Sequence, residues 1–363
     1  MKITTIEPIL IQVPYRHGGP YPRIGGREWR TMDTLLVRVE TDQGLTGWGE
    51  AFGYNAAPAT KAALETAVAP LLIGRTIDVG ALMGEMQRSL QNFGRTGPLM
   101  FALSGVDIAL WDIAGQKAGV PLHRMLGTAD KKRVPTYASL LRYGDAALVA
   151  HNAAEAAARG YRHVKLHEVG EAEVKAARSA IGADAALMVD TNCPWSLPEA
   201  LEMAKRFATY NLLWLEEPLW PPEDYAGLAH LARQSGVAIA AGENAATAAD
   251  FAQMFAVDAV RYAQPSVTKI GGITEMRKIA GMAVAAMVAL APHSPYFGPG
   301  LIATLHCIAA WPGEILCERF YCDLEASPFG DAIEAKDGFL AVPQGAGLGV
   351  PVDMAVIERY RVR

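Results

Sequence analysis

The spacing of hydrophobic and polar positions changes twice along the chain. In residues 1 to about 50, apolar and β-branched residues crowd into "ITTIEPILIQVP" and "DTLLVRVETDQGLTGWGE", and Asp42-Gln43-Gly44 marks a turn, which together predict a β meander. Over 58–91, and again in "FALSGVDIALWDIAGQKAGVPLHRMLG", small and large apolar residues recur at three and four, which predicts helices. Gly119-Val120-Pro121 ends the second of them. From Arg133 the pattern becomes an alternation of strand and helix. Strands are expected at 134–139, 163–167, 187–192, 212–217, 238–243, 259–264, 287–293 and 314–319. Ala-rich amphipathic stretches such as "AALVAHNAAEAAARG" and "PEALEMAKRFATYN" fill the gaps. That order predicts a (β/α) barrel of about eight strands, with its active site at the strands' C-terminal ends. The last units are tight, and the eighth strand is the least regular. Residues 320–363 return to short strands and turns, expected to fold back onto the N-terminal part.

Three of the apolar runs end in an acid: "ALMVDTN", "LLWLEEP" and "AIAAGEN". Asp190, Glu216 and Glu243 are 26 and then 27 residues apart, about one strand, one helix and two short loops. Each therefore closes a successive parallel strand, and neighbouring strands lie roughly 4.8 Å apart. Three carboxylates brought together in this way repel one another and lose hydration unless a cation neutralises them. All-oxygen ligation without Cys or His points to a hard cation, Mg²⁺ before Mn²⁺ or Ca²⁺. The competing reading makes each acid the N-cap of the following helix.

Length and composition narrow the picture. A chain of 363 residues exceeds the usual single-domain range and suggests a large barrel with a smaller domain. The net charge of −5, without basic runs, argues against a nucleic-acid or membrane-surface partner. Residues 1–14 hold no apolar run long enough for a signal peptide, and no segment is expected to approach a membrane span. Cys193, Cys307, Cys317 and Cys322 form no CxxC pair and no disulfide framework, which fits free thiols in a reducing cytoplasm. Cys193 is read as structural, since a thiolate is a poor partner for Mg²⁺.

Two further features bear on chemistry. "YRHGGPYPRIGGREW" is Gly/Pro-rich, with three arginines and three aromatic residues, and has the character of a loop that covers a site. In "HVKLHE", strand alternation places Lys165 and His167 on the same side, facing the barrel lumen.

Taken in order and spacing, "GVDIALWDIAGQKAGVPLHRMLG", the three acids, "KIGGITE", "APHS" and "QGAGLGVPVD" resemble the enolase superfamily, and within it the mandelate racemase-like subgroup. The resemblance covers nearly the whole chain. It implies an α/β fold: a modified TIM barrel, (β/α)7β, over 126–320, an α+β capping domain with a lid loop over 1–125, and a C-terminal segment, 321–363, returning to the cap. It further implies Mg²⁺ on Asp190, Glu216 and Glu243, a small-molecule carboxylate substrate, and a homo-oligomer, dimer or octamer. The shared step is removal of the proton α to the carboxylate. The basic pair Lys165-x-His167 occupies the subgroup's position for the base, and a lysine beside a divalent cation and a second base is expected to have a depressed pKa. His293 matches a catalytic histidine on strand seven, and Glu318 matches an acid that hydrogen-bonds the developing charge, although an ion pair with Arg319 explains it equally well. Asn192 is expected to share the facing of Asp190 and to contact substrate.

The chain departs from the pattern at one place. The subgroup generally carries an Asp in "QPD" behind the strand-seven histidine; here "AQPSV" puts Ser266 there. A hydroxyl cannot stabilise imidazolium as a carboxylate does, so His293 is expected to be a weaker base, better suited to donating a proton. The muconate-lactonising branch places a Lys where Gln264 stands, and Lys269 in the loop beyond is read as structural or solvent-facing. The favoured activity is β-elimination from an aldonic or aldaric acid or its lactone, as in dehydratases and sugar-lactone cycloisomerases. Lys165 would be the base, and Tyr21, Arg23, Arg27 and Arg30 of the lid would supply polar contacts. The alternatives are a racemase or epimerase using the same enediolate, and an inactive barrel serving as a binding protein.

Overall fold

The computed structural model describes residues 1–24 and 26–363. Its first strand, Ile3–Arg16 (β1), pairs antiparallel with Thr31–Thr41 (β4), which pairs in turn with Thr46–Ala51 (β5). Gly44, at φ 77, makes the turn between β4 and β5. A small hairpin of Arg23–Ile24 (β2) and Arg27–Glu28 (β3) lies in the lid between β1 and β4. The helix Pro98–Ala118 crosses the sheet so closely that a Cβ on Gly49 would stand 1.8 Å from the Gly105 carbonyl oxygen. No larger residue fits at either glycine.

That helix meets the length and apolarity of a membrane span, contrary to the sequence expectation, yet 72% of its apolar window is buried inside the molecule. It is apolar all round because it is packed all round. Its two buried acids act as struts. Asp107 accepts from the amide of Thr274 on a barrel helix, and Asp112 accepts from the amides of Trp48 in β5 and Leu348 near the C-terminus.

Eight parallel strands follow: Arg133–Leu140 (β6), His163–Leu166 (β7), Ala186–Asp190 (β8), Leu212–Glu216 (β9), Ile239–Ala241 (β10), Tyr262–Ala263 (β11), Ala289–Leu290 (β12) and Cys317–Phe320 (β13). They pair in sequence order, β13 returns to pair with β6, and helices fill the seven intervals, giving (β/α)7β. The strands β10 to β12 are shorter than expected. Pro265 and Pro292 have no N–H to continue the ladder after Gln264 and Ala291 have bonded Ala241 and Ala263, and Gly242 bends away at φ 137. The eighth strand begins three residues later than predicted. Between β12 and β13 the barrel closes through Ser294, whose amide and hydroxyl bond the Glu318 carboxylate and carbonyl. Tyr137, Met188, Trp214, Ala240 and Ala291 fill the lumen below the strand ends and form its floor.

Beyond the barrel, Asp323–Leu324 (β14) pairs with β1 and Phe339–Ala341 (β15) pairs antiparallel with β6. The helix Met354–Tyr360 follows, and an isolated bridge joins Arg361 to Ile11 of β1.

Candidate active site

Asp190 and Glu216 end β8 and β9, where they pair in register, and Glu243 lies two residues beyond β10, turned by Gly242. One oxygen of each lies within 4.8 Å of the other two. None of them caps a helix; Ser196, Asp224 and Thr247 hold those positions. Donors orient two of the three: Asp190 Oδ1 accepts from the backbone and side-chain amides of Asn192, and Glu216 Oε2 accepts from Trp214 Nε1 at 2.8 Å. Asn192 thus holds Asp190 in place while lining the cavity above. Glu217, next in the chain, turns away to Cys193 and Asn244.

These carboxylates fit a divalent cation. Burial pushes Asp190 up to about 6 and Glu216 up to about 7, with Lys165 offsetting only part of it. An all-oxygen set gathered within 4.8 Å suits a hard cation such as Mg²⁺. His167 stands beside the triad. Its Nδ1 lies 2.6 Å from the Leu140 carbonyl, which can only accept, so Nδ1 carries the proton. Burial, then Lys165, lower this ring to about 4, so it is neutral at physiological pH. Its unprotonated Nε2 therefore faces Asp190 Oδ2 at 3.3 Å, the oxygen that also accepts from Lys165 Nζ.

Lys165 is fully buried. Its ammonium lies 2.8 Å from Glu216, 2.8 Å from Glu318 and 3.3 Å from Asp190, and 5.6 Å from the Tyr137 ring centroid. Burial alone would lower it, but the carboxylates of Glu216 and Glu318 outweigh burial and hold it well above the usual lysine range. Glu318 is pushed up by burial but brought down to about 2, chiefly by Lys165, and also accepts from Ser139 Oγ. Arg319 pairs with Glu334 instead, so the Glu318–Arg319 ion pair does not form.

His293, past β12, contacts Glu243 through Nε2 at 2.6 Å. Burial pushes Glu243 up, and His293 more than offsets it, keeping the carboxyl well below the usual range. Behind the ring, Nδ1 is 3.2 Å from Ser266 Oγ and 3.4 Å from the Tyr296 hydroxyl, and these two hydroxyls touch each other. Burial raises the Tyr296 phenol, which stays protonated, so His293 is backed by two neutral groups. Tyr296 has no signal in the sequence beyond its place three residues after His293.

A cavity of about 950 Å³ opens above these groups. Tyr21 and Arg23 of the lid line it; Arg30 turns to Glu28, and Arg27 is exposed outside the lining. Two lining cations escaped the sequence reading. Arg142 is held by the His167 carbonyl and Asn192, and Lys269, expected to be structural or solvent-facing, lines the wall near Phe52.

Comparison with known proteins completes the description. The family description "Enolase C-terminal domain-like" matches residues 148–356, and "Mandelate racemase / muconate lactonizing enzyme, N-terminal domain" matches residues 24–127. Arabinonate dehydratase from Saccharolobus solfataricus is 32% identical over 94% of this chain and 94% of its own. D-galactarolactone cycloisomerase from Agrobacterium fabrum is 30% identical over 100% of this chain and 99% of its own. Among solved structures, 3,6-anhydro-D-galactonate cycloisomerase from Zobellia galactanivorans superposes with a TM-score of 0.87 at 30% identity, covering 100% of both chains. A racemase from Streptomyces coelicolor A3(2) with bound magnesium gives 0.86 at 27% identity, over 99% of this chain and 100% of the other.

Proposed function

The chain belongs to the mandelate racemase/muconate lactonizing enzyme family of the enolase superfamily, and from that premise we propose that it is a Mg²⁺-dependent β-eliminating enzyme acting on an acid sugar, an aldonate, aldarate or lactone. Residues 1–125 serve as the cap with its lid, 126–320 as the catalytic barrel, and 321–363 as a segment completing the cap. The observation that carries the reading is the pair of proton-handling groups at opposite ends of one carboxylate triad: Lys165 against Asp190 and Glu216, His293 against Glu243.

Asp190, Glu216 and Glu243 would hold Mg²⁺, which when bound would supply positive charge against the triad and against the substrate carboxylate. Lys165 Nζ, as the neutral amine, takes the proton α to that carboxylate, and the C–H electrons move into the carboxylate to form an enediolate. Glu318 and Asp190 stabilise the ammonium so formed, at the distances given above. The enediolate collapses, the bond to the β-oxygen breaks, and His293 gives that oxygen its proton. Water leaves from an open-chain substrate, or the ring opens in a lactone, and the enol relaxes to a 2-keto acid. His167, neutral at physiological pH, orients rather than transfers protons, and Asn192, Tyr21 and Arg23 contact the substrate or its metal-binding frame. The neutral pair Ser266–Tyr296 supports one-sided proton removal over racemisation.

A screen of acid sugars and lactones with Mg²⁺ in heavy water tests this. A 2-keto product is expected. Recovered substrate carrying α-deuterium with inversion would replace elimination by racemisation. Metal-independent ligand binding without turnover would leave an inactive barrel.

A further inference from the structure

Arg142 stands two residues beyond β6 and lines the cavity, and its guanidinium reaches sideways over the ends of the next two strands. Its Nε donates to the carbonyl of His167 at 2.6 Å, and its Nη2 lies 3.4 Å from the carbonyl of Thr191 and 3.3 Å from Asn192 Oδ1. His167 and Thr191 are the residues that directly follow β7 and β8. All three acceptors are neutral. The charge of Arg142 partly offsets the burial of Glu168, a carboxylate that bonds the amides of Tyr143 and Gly144. A planar fork spent on neutral oxygens from two other strands fixes geometry rather than neutralising an acid.

What it fixes is the turn that carries Asn192. Asn192 and Cys193 both lie in the left-handed region, at φ 54 and φ 56, where a side chain is costly and surrounding bonds must hold the backbone. The amide of Cys193 bonds the Glu217 carbonyl at 2.7 Å on one side of this turn, and Arg142 bonds Thr191 and Asn192 on the other. The Asn192 amide has one orientation that satisfies both of its partners. A guanidinium can only donate, so Oδ1 faces Arg142; the Asp190 carboxylate accepts, so Nδ2 faces Asp190 Oδ1, at 2.9 Å. The backbone amide of Asn192 reaches the same oxygen at 3.0 Å. Arg142 is therefore one side chain removed from Asp190, through a group whose direction it helps to set.

We propose that Arg142 is a positioning residue for the metal centre: its fork locks the Asn192 turn, and Asn192 in turn holds Asp190 toward Glu216 and Glu243. This rests on the proposed function for the identity of the cation. The idea makes a prediction of definite sign. Through space, a guanidinium near the triad opposes a second cation, so removing it would tighten Mg²⁺ binding. Through Asn192, removing it frees a metal ligand from its orienting partner, which weakens Mg²⁺ binding. The two roles push the same measurement in opposite directions.

The test titrates Mg²⁺ into the full chain without substrate and reads its Kd from the shift in Tm, for wild type, Arg142→Met and Arg142→Lys. Arg142→Met is expected to weaken Mg²⁺ by about 10–100-fold. Arg142→Lys keeps the charge but not the fork, and is expected to stay close to Arg142→Met. The metal-free Tm of each variant separates a folding defect from a defect of the site, and should Arg142→Met fail to fold, Arg142→Lys decides. Unchanged or tighter Mg²⁺ binding in Arg142→Met overturns the proposal, as does wild-type affinity in Arg142→Lys. If the Tm of the wild type does not respond to Mg²⁺, the proposed function itself fails, and this inference with it.

Discussion

The two ends of the triad are built on opposite electrostatic plans. On the strand-two side, Lys165 is fully enclosed, and three carboxylates with Tyr137 surround its ammonium. On the strand-seven side, His293 touches one carboxylate in front and two neutral hydroxyls behind. One pocket surrounds its amine with negative charge, and the other backs its ring with neutral hydroxyls. A two-sided racemase needs both groups to gain and lose protons with similar ease. Under the proposed function, that difference sets a direction: removal on the lysine side, delivery on the histidine side.

The hardest blow to this comparison is Lys165→Met. Turnover is expected to fall by about 10³-fold or more. Because Asp190, Glu216 and Glu318 lose their common counterion, the metal-free variant should melt lower than wild type, and Mg²⁺ should raise its Tm more than it raises that of wild type. Retained activity would take Lys165 out of the reaction. His293→Asn comes next, with product formation down about 10²-fold, while α-deuterium still washes into recovered substrate because Lys165 is intact. Loss of exchange in parallel with turnover would mean that the two sides do not act separately.

Ser266→Asp sharpens the contrast by giving the strand-seven side a carboxylate. Its expected result is a modest fall in elimination together with new α-deuterium of inverted configuration, read by NMR of recovered substrate. No inversion would show that the hydroxyl pair is not what keeps the chemistry one-sided.

The smallest effect concerns Glu50, whose Oε2 accepts from the amide of Gly300 on the strand-seven side. Burial pushes Glu50 up to about 8 from 4.5, the amide offsetting part of this. A carboxyl raised on folding favours the folded state while protonated, so its contribution is complete below about 4.5 and is lost as pH rises through about 8. Glu50→Gln should flatten the decline of Tm across that window. An unchanged slope would remove Glu50 as its source.

Much of the site was legible because a barrel writes its geometry into spacing. A repeat of 26 and 27 residues carries Asp190, Glu216 and Glu243 to neighbouring strand ends, and an alternation of two turns Lys165 inward. What was missed lies where period fails. Tyr296 reaches Ser266 from a loop 30 residues away, and Lys269 is aimed by a bond from Thr268 to Phe52, more than 200 residues back in the chain. Loops have no period that fixes side-chain direction; distant contacts set it.

The sequence by itself determined the (β/α) order, the three acids and the lumen-facing lysine, because strand length and pleat leave little freedom in where those side chains point. Only the tertiary structure decided that Glu318 answers Lys165 rather than Arg319, that His293 rests on two hydroxyls, and that Lys269 faces the cavity. Each of those depends on which groups from remote strands and loops end within a few ångströms of one another, and at that range electrostatics and burial, not local propensity, set the chemistry.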